Sequence, residues 1–211
     1  MKYKLIEGSL NDEYNAKKTI LLNRGIENWK EYLNINSSCI NDYSMLDNMH
    51  EAVLCYVSHL NSNSRIHVIV DPDVDGFCSA SEIIRYTNKI KPDTRITYSL
   101  HTLKQHGLSE DIQIPEDINL LIIPDAGSND IEQCKKLNEN SVNIIILDHH
   151  ICDKENPYAI VVNNQMCDYP NKNFCGGGIV YKFLQAVDDE LWENHADDFL
   201  DMVALSNISD V

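Results

Sequence analysis

The sequence predicts an α/β fold: a parallel sheet of about five strands flanked by helices, preceded by a helical N-terminal segment over residues 1–64. Three observations predict it. From residue 65 onward, short apolar or β-branched runs alternate with helical stretches. The runs read as buried strands, which a parallel sheet with right-handed crossovers produces. The acidic and imidazole residues gather just after those runs, where an open parallel sheet places its ligand crevice.

Taken in order, residues 44–60 carry Met45, Met49, Ala52, Val53, Tyr56, Val57 and Leu60 at three- and four-residue steps, as an amphipathic helix requires. Asn61-Ser62-Asn63-Ser64 breaks that pattern. Strands are expected at residues 66–70, 95–100, 120–123, 142–147 and 159–162, with helices between them at 79–90 and 129–140. Asn129, with Glu132 three residues on, gives the second helix a capping-box start. Helices return at residues 177–186 and 197–206, so residues 65–211 form the α/β domain.

Composition bounds the function. A chain of 211 residues at 43% hydrophobic buries one substantial core. No apolar run approaches the roughly 20 residues needed to span a bilayer, so no membrane partner is expected. MKYKLIEGSLNDEYNAKK lacks the apolar stretch of a signal peptide. Seven scattered cysteines without a CxxC pair read as reduced thiols in a cytoplasmic protein and offer no structural zinc spacing. The net charge of −16, from 33 acidic and 17 basic residues, opposes a broad polyanion-binding face. An anionic substrate stays compatible, because divalent cations held by carboxylates supply positive charge locally.

Asp71, Asp73 and Asp75 follow the first strand, His101 ends the second, Asp125 follows the third, and Asp148, His149 and His150 follow the fourth. Asp71-Pro-Asp73-Val-Asp75-Gly76 sets three carboxylates two residues apart, and these repel unless cations neutralise them. Proline disfavours helix at Asp71, and Gly76 is expected to let the chain fold sharply into the next helix. An EF-hand would take its bidentate Glu from the twelfth position, Glu82, but it also needs an entering helix where a strand stands. Asp125 is either a helix cap or a ligand. Adjacent histidines at a strand end point in different directions, so one can bind metal while the other faces substrate, and Asp148 can orient an imidazole.

Mixed Asp and His ligands suit manganese or magnesium. Two such ions, about 3.5–4 Å apart, clamp phosphate oxygens for in-line displacement. Asp125 is the expected bridging ligand, lying on a strand between the other two clusters. Gly176, Gly177 and Gly178 precede a helix, where their N–H groups either hold a phosphate or form a plain turn. Lys104 and His106 are two further phosphate partners or members of a solvated loop.

These segments resemble the motifs of the DHH phosphoesterase family, named for the triplet Asp148-His149-His150. VIVDPDVDGFCSA, LLIIPDAG, IIILDHH, CGGGIVYKFL and ALSNISDV are similar to its successive motifs. Ile20-Leu21-Leu22-Asn23-Arg24-Gly25-Ile26 is similar to an N-terminal segment of RecJ-type single-strand exonucleases. The resemblance implies 5′→3′ hydrolysis of single-stranded DNA with two manganese or magnesium ions. Asp71 and Asp73 would hold the first ion, Asp75, His149 and Asp210 the second, and Asp125 would bridge them. His150 would contact the scissile phosphate and assist proton transfer, while His106 and Gly176–Gly178 would hold phosphate oxygens. Asp210 enters on resemblance alone. Nuclease members carry a second, nucleic-acid-gripping domain, whereas the sequence ends one residue after Asp210. That implies a fragment, or a core that works with a protein partner. A second reading keeps the metal site for short oligonucleotides, cyclic dinucleotides or pyrophosphate, and a third retains the fold as a binding module without catalysis.

Overall fold

The computed structural model describes residues 13–101, 105–108 and 112–210. The chain divides into two compact units, Met1–Asn41 and Asp42–Val211. In the first, α1 (Glu13–Asn23) and α2 (Trp29–Leu33) are joined by a turn in which Gly25 takes a φ of 79°. Ile26 N–H donates to Leu21 O at 2.9 Å there, so the orphan carbonyls at the end of α1 find partners.

The second unit holds α3 (Met49–Asn61), β1 (Arg65–Val70), α4 (Val74–Ile90), β2 (Arg95–Leu100), β3 (Leu120–Pro124), α5 (Ile131–Glu139), β4 (Asn143–Asp148), β5 (Ile160–Asn163), α6 (Gly176–Leu191) and α7 (Leu200–Ser209). The helical segment expected over 1–64 is therefore not one piece. Met49, Ala52, Val53, Tyr56 and Leu60 pack α3 into the same core as the sheet, so the compact unit begins at Asp42 rather than at residue 65.

All four strand pairings are parallel, in the order β2-β1-β3-β4-β5. Alternating side chains serve opposite faces. Ile66, Val68, Val70, Leu120, Ile122, Ile145, Leu147 and Val162 meet α3, α4 and α6, while Ile69, Leu121, Ile123, Ile144, Ile146 and Val161 form a second cluster that includes Cys134 of α5. Each such side chain fully buried contributes about 1.5–3 kcal/mol. β2 departs from the expected buried strand: it is the edge of the sheet, with Arg95, Thr97, Tyr98 and Leu100 exposed. All seven cysteines are unpaired.

The strand order fixes where a site can form. From β1 the chain first moves out to β2, then crosses back to β3 on the other side of β1. The switch point thus lies between β1 and β3, whose carboxyl ends carry Asp71 and Asp125.

Candidate metal centre

Asp71, buried at the end of β1, lies with Oδ2 2.7 Å from His106 Nδ1, and its Oδ1 accepts from Gly107 N–H at 3.4 Å. Burial lifts its pKa above the usual carboxylate range, with His106 pulling the other way. Asp73 is the N-cap of α4, accepting from Gly76 N–H at 2.9 Å. α4 therefore starts five residues earlier than the pattern suggested, which leaves no EF-hand loop and places Glu82 inside a helix. Gly76 sits in the first turn, and its role is close approach rather than a sharp reversal. A Cβ there would lie 2.6 Å from Asp71 O.

Asp75 reaches the opposite helix. Its Oδ2 accepts from Gly176 N–H at 2.7 Å, and its Oδ1 accepts from Gly177 N–H at 2.8 Å, Ser79 Oγ at 3.3 Å and the Ser206 hydroxyl. The expected phosphate turn is corrected accordingly. Two of its amides end on this protein carboxylate, and Gly178 N–H ends on Cys175 Sγ at 3.3 Å. The glycines instead let α6 come close, since a Cβ on Gly176 would lie 2.7 Å from Asp125 Cβ.

Asp125 follows β3 with a φ of 66°, and its N–H donates to Leu147 O of β4 at 2.8 Å. It caps no helix: α5 begins at Ile131 with Asp130 at the N-cap position. The Asn129–Glu132 capping box does not form either: Asp130 holds the N-cap position, and Asn129 Nδ2 donates to Ile151 O at 3.0 Å. The Asp125 side chain is 1% exposed. Among the described residues no donor is aligned on its Oδ1, although His149 Nε2 lies 3.0 Å away. Burial first, then the charges of Asp75, Asp73 and Asp71, push its pKa up to about 10.

His149 stands at the centre. Its Nε2 is also 3.7 Å from Asp75 Oδ2, and its Nδ1 is 3.6 Å from Asp210 Oδ2 at the end of α7. His150 is turned by Asp148, whose Oδ1 lies 2.8 Å from His150 Nδ1, and that bond raises the imidazole pKa. Asp148 also accepts from the N–H groups of His149 and Ser128. Burial alone would raise Asp148, but the hydrogen bonds from His150 and Ser128 outweigh it and carry the carboxyl below its usual range. Asp148 thus holds the His150 ring through Nδ1.

Among the described residues, three overlapping groups have ligand atoms all within 4.8 Å of one another: Asp71, Asp73 and Asp125; Asp75, His149 and Asp210; Asp125, His149 and His150. The donor set is carboxylate oxygen and imidazole nitrogen, which suits hard divalent cations, and the buried unpaired Asp125 Oδ1 faces it. The residues present therefore fit a metal. His106 is exposed and lines, with Gly107, Ser128, Asn129, His150 and Ile151, an adjoining cleft of about 620 Å³. Lys104 lies outside the described residues.

Of two further buried groups, the sequence suggests Glu82 only as an EF-hand ligand and does not single out Ser206 at all. Among the described residues Glu82 of α4 finds no hydrogen bond for either oxygen, and burial, with Asp75 and Asp201 adding to it, raises its pKa to about 10. Ser206 lies one helical turn before Asp210, and that spacing was its only signal.

A parallel α/β sheet with this strand-end cluster defines a class, and the chain belongs to it: residues 65–206 match the DHH family, N-terminal domain. Among individual relatives, YorK of Bacillus subtilis (strain 168), an SPbeta prophage-derived protein named for single-strand DNA-specific exonuclease activity, is 44% identical over 211 residues. That alignment takes in 100% of this chain and 36% of YorK, so the chain spans about a third of that relative. The single-stranded-DNA-specific exonuclease RecJ of Thermus thermophilus is 25% identical over 174 residues, 79% of this chain and 25% of RecJ. The crystal structure of Thermus thermophilus RecJ in complex with Mn2+ superposes with a TM-score of 0.71 at 22% identity, covering 90% of this chain and 28% of RecJ. Among the described residues no helix is long and apolar enough to cross a membrane.

Proposed function

We propose that this chain is the metal-binding catalytic core of a phosphodiester hydrolase acting on single-stranded DNA, with 5′→3′ polarity. The observation that carries the reading is Asp125: a buried carboxylate with an unpaired oxygen, set among Asp71, Asp73, Asp75 and His149 at the switch point of the sheet. Asp71 and Asp73 would hold one manganese or magnesium ion, Asp75, His149 and Asp210 would hold a second, and Asp125 would serve both. Bound there, the cations supply positive charge to phosphate oxygens and acidify a water. The relatives named for single-strand exonuclease activity support the substrate class.

The chain's own groups divide the rest of the work. Asp148 fixes His150 through Nδ1 and favours its protonated form, so Nε2 is the atom that meets a phosphate oxygen or delivers a proton to the leaving group. His106, exposed beside Asp71, gives a second imidazole contact for the phosphate. The cleft past Ser128 and Ile151 takes the adjoining nucleoside.

The test is manganese-dependent release of mononucleotides from 5′-labelled single strands, with His149→Ala and Asp125→Asn beside the wild type. Equal release by those variants sinks the assignment. The net charge of −16 favours a second reading on the same centre, in which short oligonucleotides or other small phosphoesters are the substrates. Turnover of dinucleotides without trimming of long strands selects it.

A further inference from the structure

We infer that Ser206 is a positioning residue: its hydroxyl latches α7 onto Asp75 and so sets Asp210 against His149. α7 is a ten-residue helix in which only Val203 and Ser206 are buried. Its large apolar side chains Leu200, Leu205 and Ile208 are exposed, the last at 74%. Besides Val203, the half-buried Met202 adds apolar packing, and Ser206 is the remaining side chain of α7 that enters the protein. A helix of this length held by so little apolar area frays.

What the hydroxyl meets is the buried Asp75 side chain. Ser206 Oγ donates to Asp75 Oδ1, a side-chain bond between α7 and α4. Asp75 is itself fixed by the amides of Gly176 and Gly177, so the latch is tied to α6 as well. Gly177 provides the space: a Cβ there would stand 2.9 Å from Ser206 Cβ. The link onward to Asp210 is one helical turn. Asp210 N–H donates to Ser206 O at 3.2 Å, and Ser209 Oγ donates to the same carbonyl at 2.8 Å. Asp210 caps the end of α7 with its carboxylate 3.6 Å from His149 Nδ1. Freeing Ser206 therefore frees the one proposed ligand that does not sit at a strand end or on α4. The consequence for cation binding rests on the metal reading above; the latch itself does not.

The experiment uses the whole chain and reads both parts. Without metal, Ser206→Ala should raise hydrogen exchange at residues 207–210 tenfold or more and leave β1 and β3 protected. In a calorimetric titration with manganese alone, Ser206→Ala should weaken one of two ions roughly 10- to 100-fold and spare the other, the range for losing a group that orients a ligand. Asp210→Asn should weaken the same ion, and the double variant should add little. Exchange unchanged at 207–210, or equal weakening of both ions with a matching fall in Tm, overturns the latch. If exchange separates the variants while the wild type binds no manganese, the latch stands and the metal reading falls.

Discussion

Replacing Asp125 by Asn should make the metal-free protein more stable and the metal-loaded protein less so. In the folded chain the Asp125 carboxyl is raised to about 10 by burial and three neighbouring carboxylates, whereas the unfolded chain leaves it near its ordinary 3.8. The folded state therefore holds a proton that the unfolded state releases, and stability is lost as pH rises from the lower value towards the higher. At pH 7 that penalty is at most about 4 kcal/mol, taking about 1.4 kcal/mol per pH unit above 3.8. An uncharged amide removes it. A gain of roughly 2–4 kcal/mol raises Tm by on the order of 5–10 °C for a unit of this size. Metal acts in the opposite sense. An ion present at about 1,000 times its Kd adds about 4 kcal/mol to the wild type, and the Asp125→Asn variant forfeits much of that. Thermal melts at pH 7 with chelator and with manganese give four Tm values whose order should cross. Asp125→Asn melting below the wild type in chelator, or gaining as much from manganese, refutes the account of a carboxylate kept for a cation.

His67, buried between Thr97 Oγ1 at 2.8 Å and Ser99 Oγ at 3.0 Å, has its pKa lowered to about 4 by burial. Its unfolded form takes a proton first, so stability should fall as pH drops from about 6.5 towards 4, by at most about 3 kcal/mol, and denaturant melts of His67→Gln should show a flatter profile. Gly76→Ala should lower stability by about 1–3 kcal/mol or more, read from the urea midpoint, because its Cβ would press on the Asp71 backbone. His150→Gln should cut manganese-dependent turnover by roughly 100- to 10,000-fold while the manganese-induced rise in Tm persists; loss of that rise would make His150 a ligand instead.

The sequence carried the alternation of strands and helices well, because a sheet covered on both faces writes itself as apolar runs. The runs before Asp71, Asp125 and Asp148 are of that kind, and they end where the chemistry stands. Strand order was not legible: no local pattern says that β3 returns to the far side of β1, which is what brings Asp71 and Asp125 together. Helix starts failed where a side chain had a better offer elsewhere. Asn129 bonds Ile151 instead of capping α5, and Asp130 Oδ2 takes Leu108 N–H at 2.7 Å. The glycine turn failed for a related reason, since a protein carboxylate reached its amides before any substrate could. Ser206 is invisible for the same cause: a hydroxyl acquires meaning only from what the fold places opposite it.

Two helix N-termini explain how so acidic a centre persists in one small unit. α4 starts on Asp73 and α6 starts against Asp75, so the partial positive ends of both helices meet carboxylates. Asp75 accepts from two amides and two hydroxyls of the protein. Asp125 lies at the end of a strand, which contributes little dipole, and among the described residues its Oδ1 has no aligned donor. The cluster is therefore not uniform. Asp75 is both a proposed ligand and a packing element, whereas Asp125 is tied to no neighbouring helix among the described residues. Substitutions at the two positions should therefore part: Asp75→Asn should loosen the packing of α4, α6 and α7 as well as weaken an ion, while Asp125→Asn should change ion binding without loosening those helices.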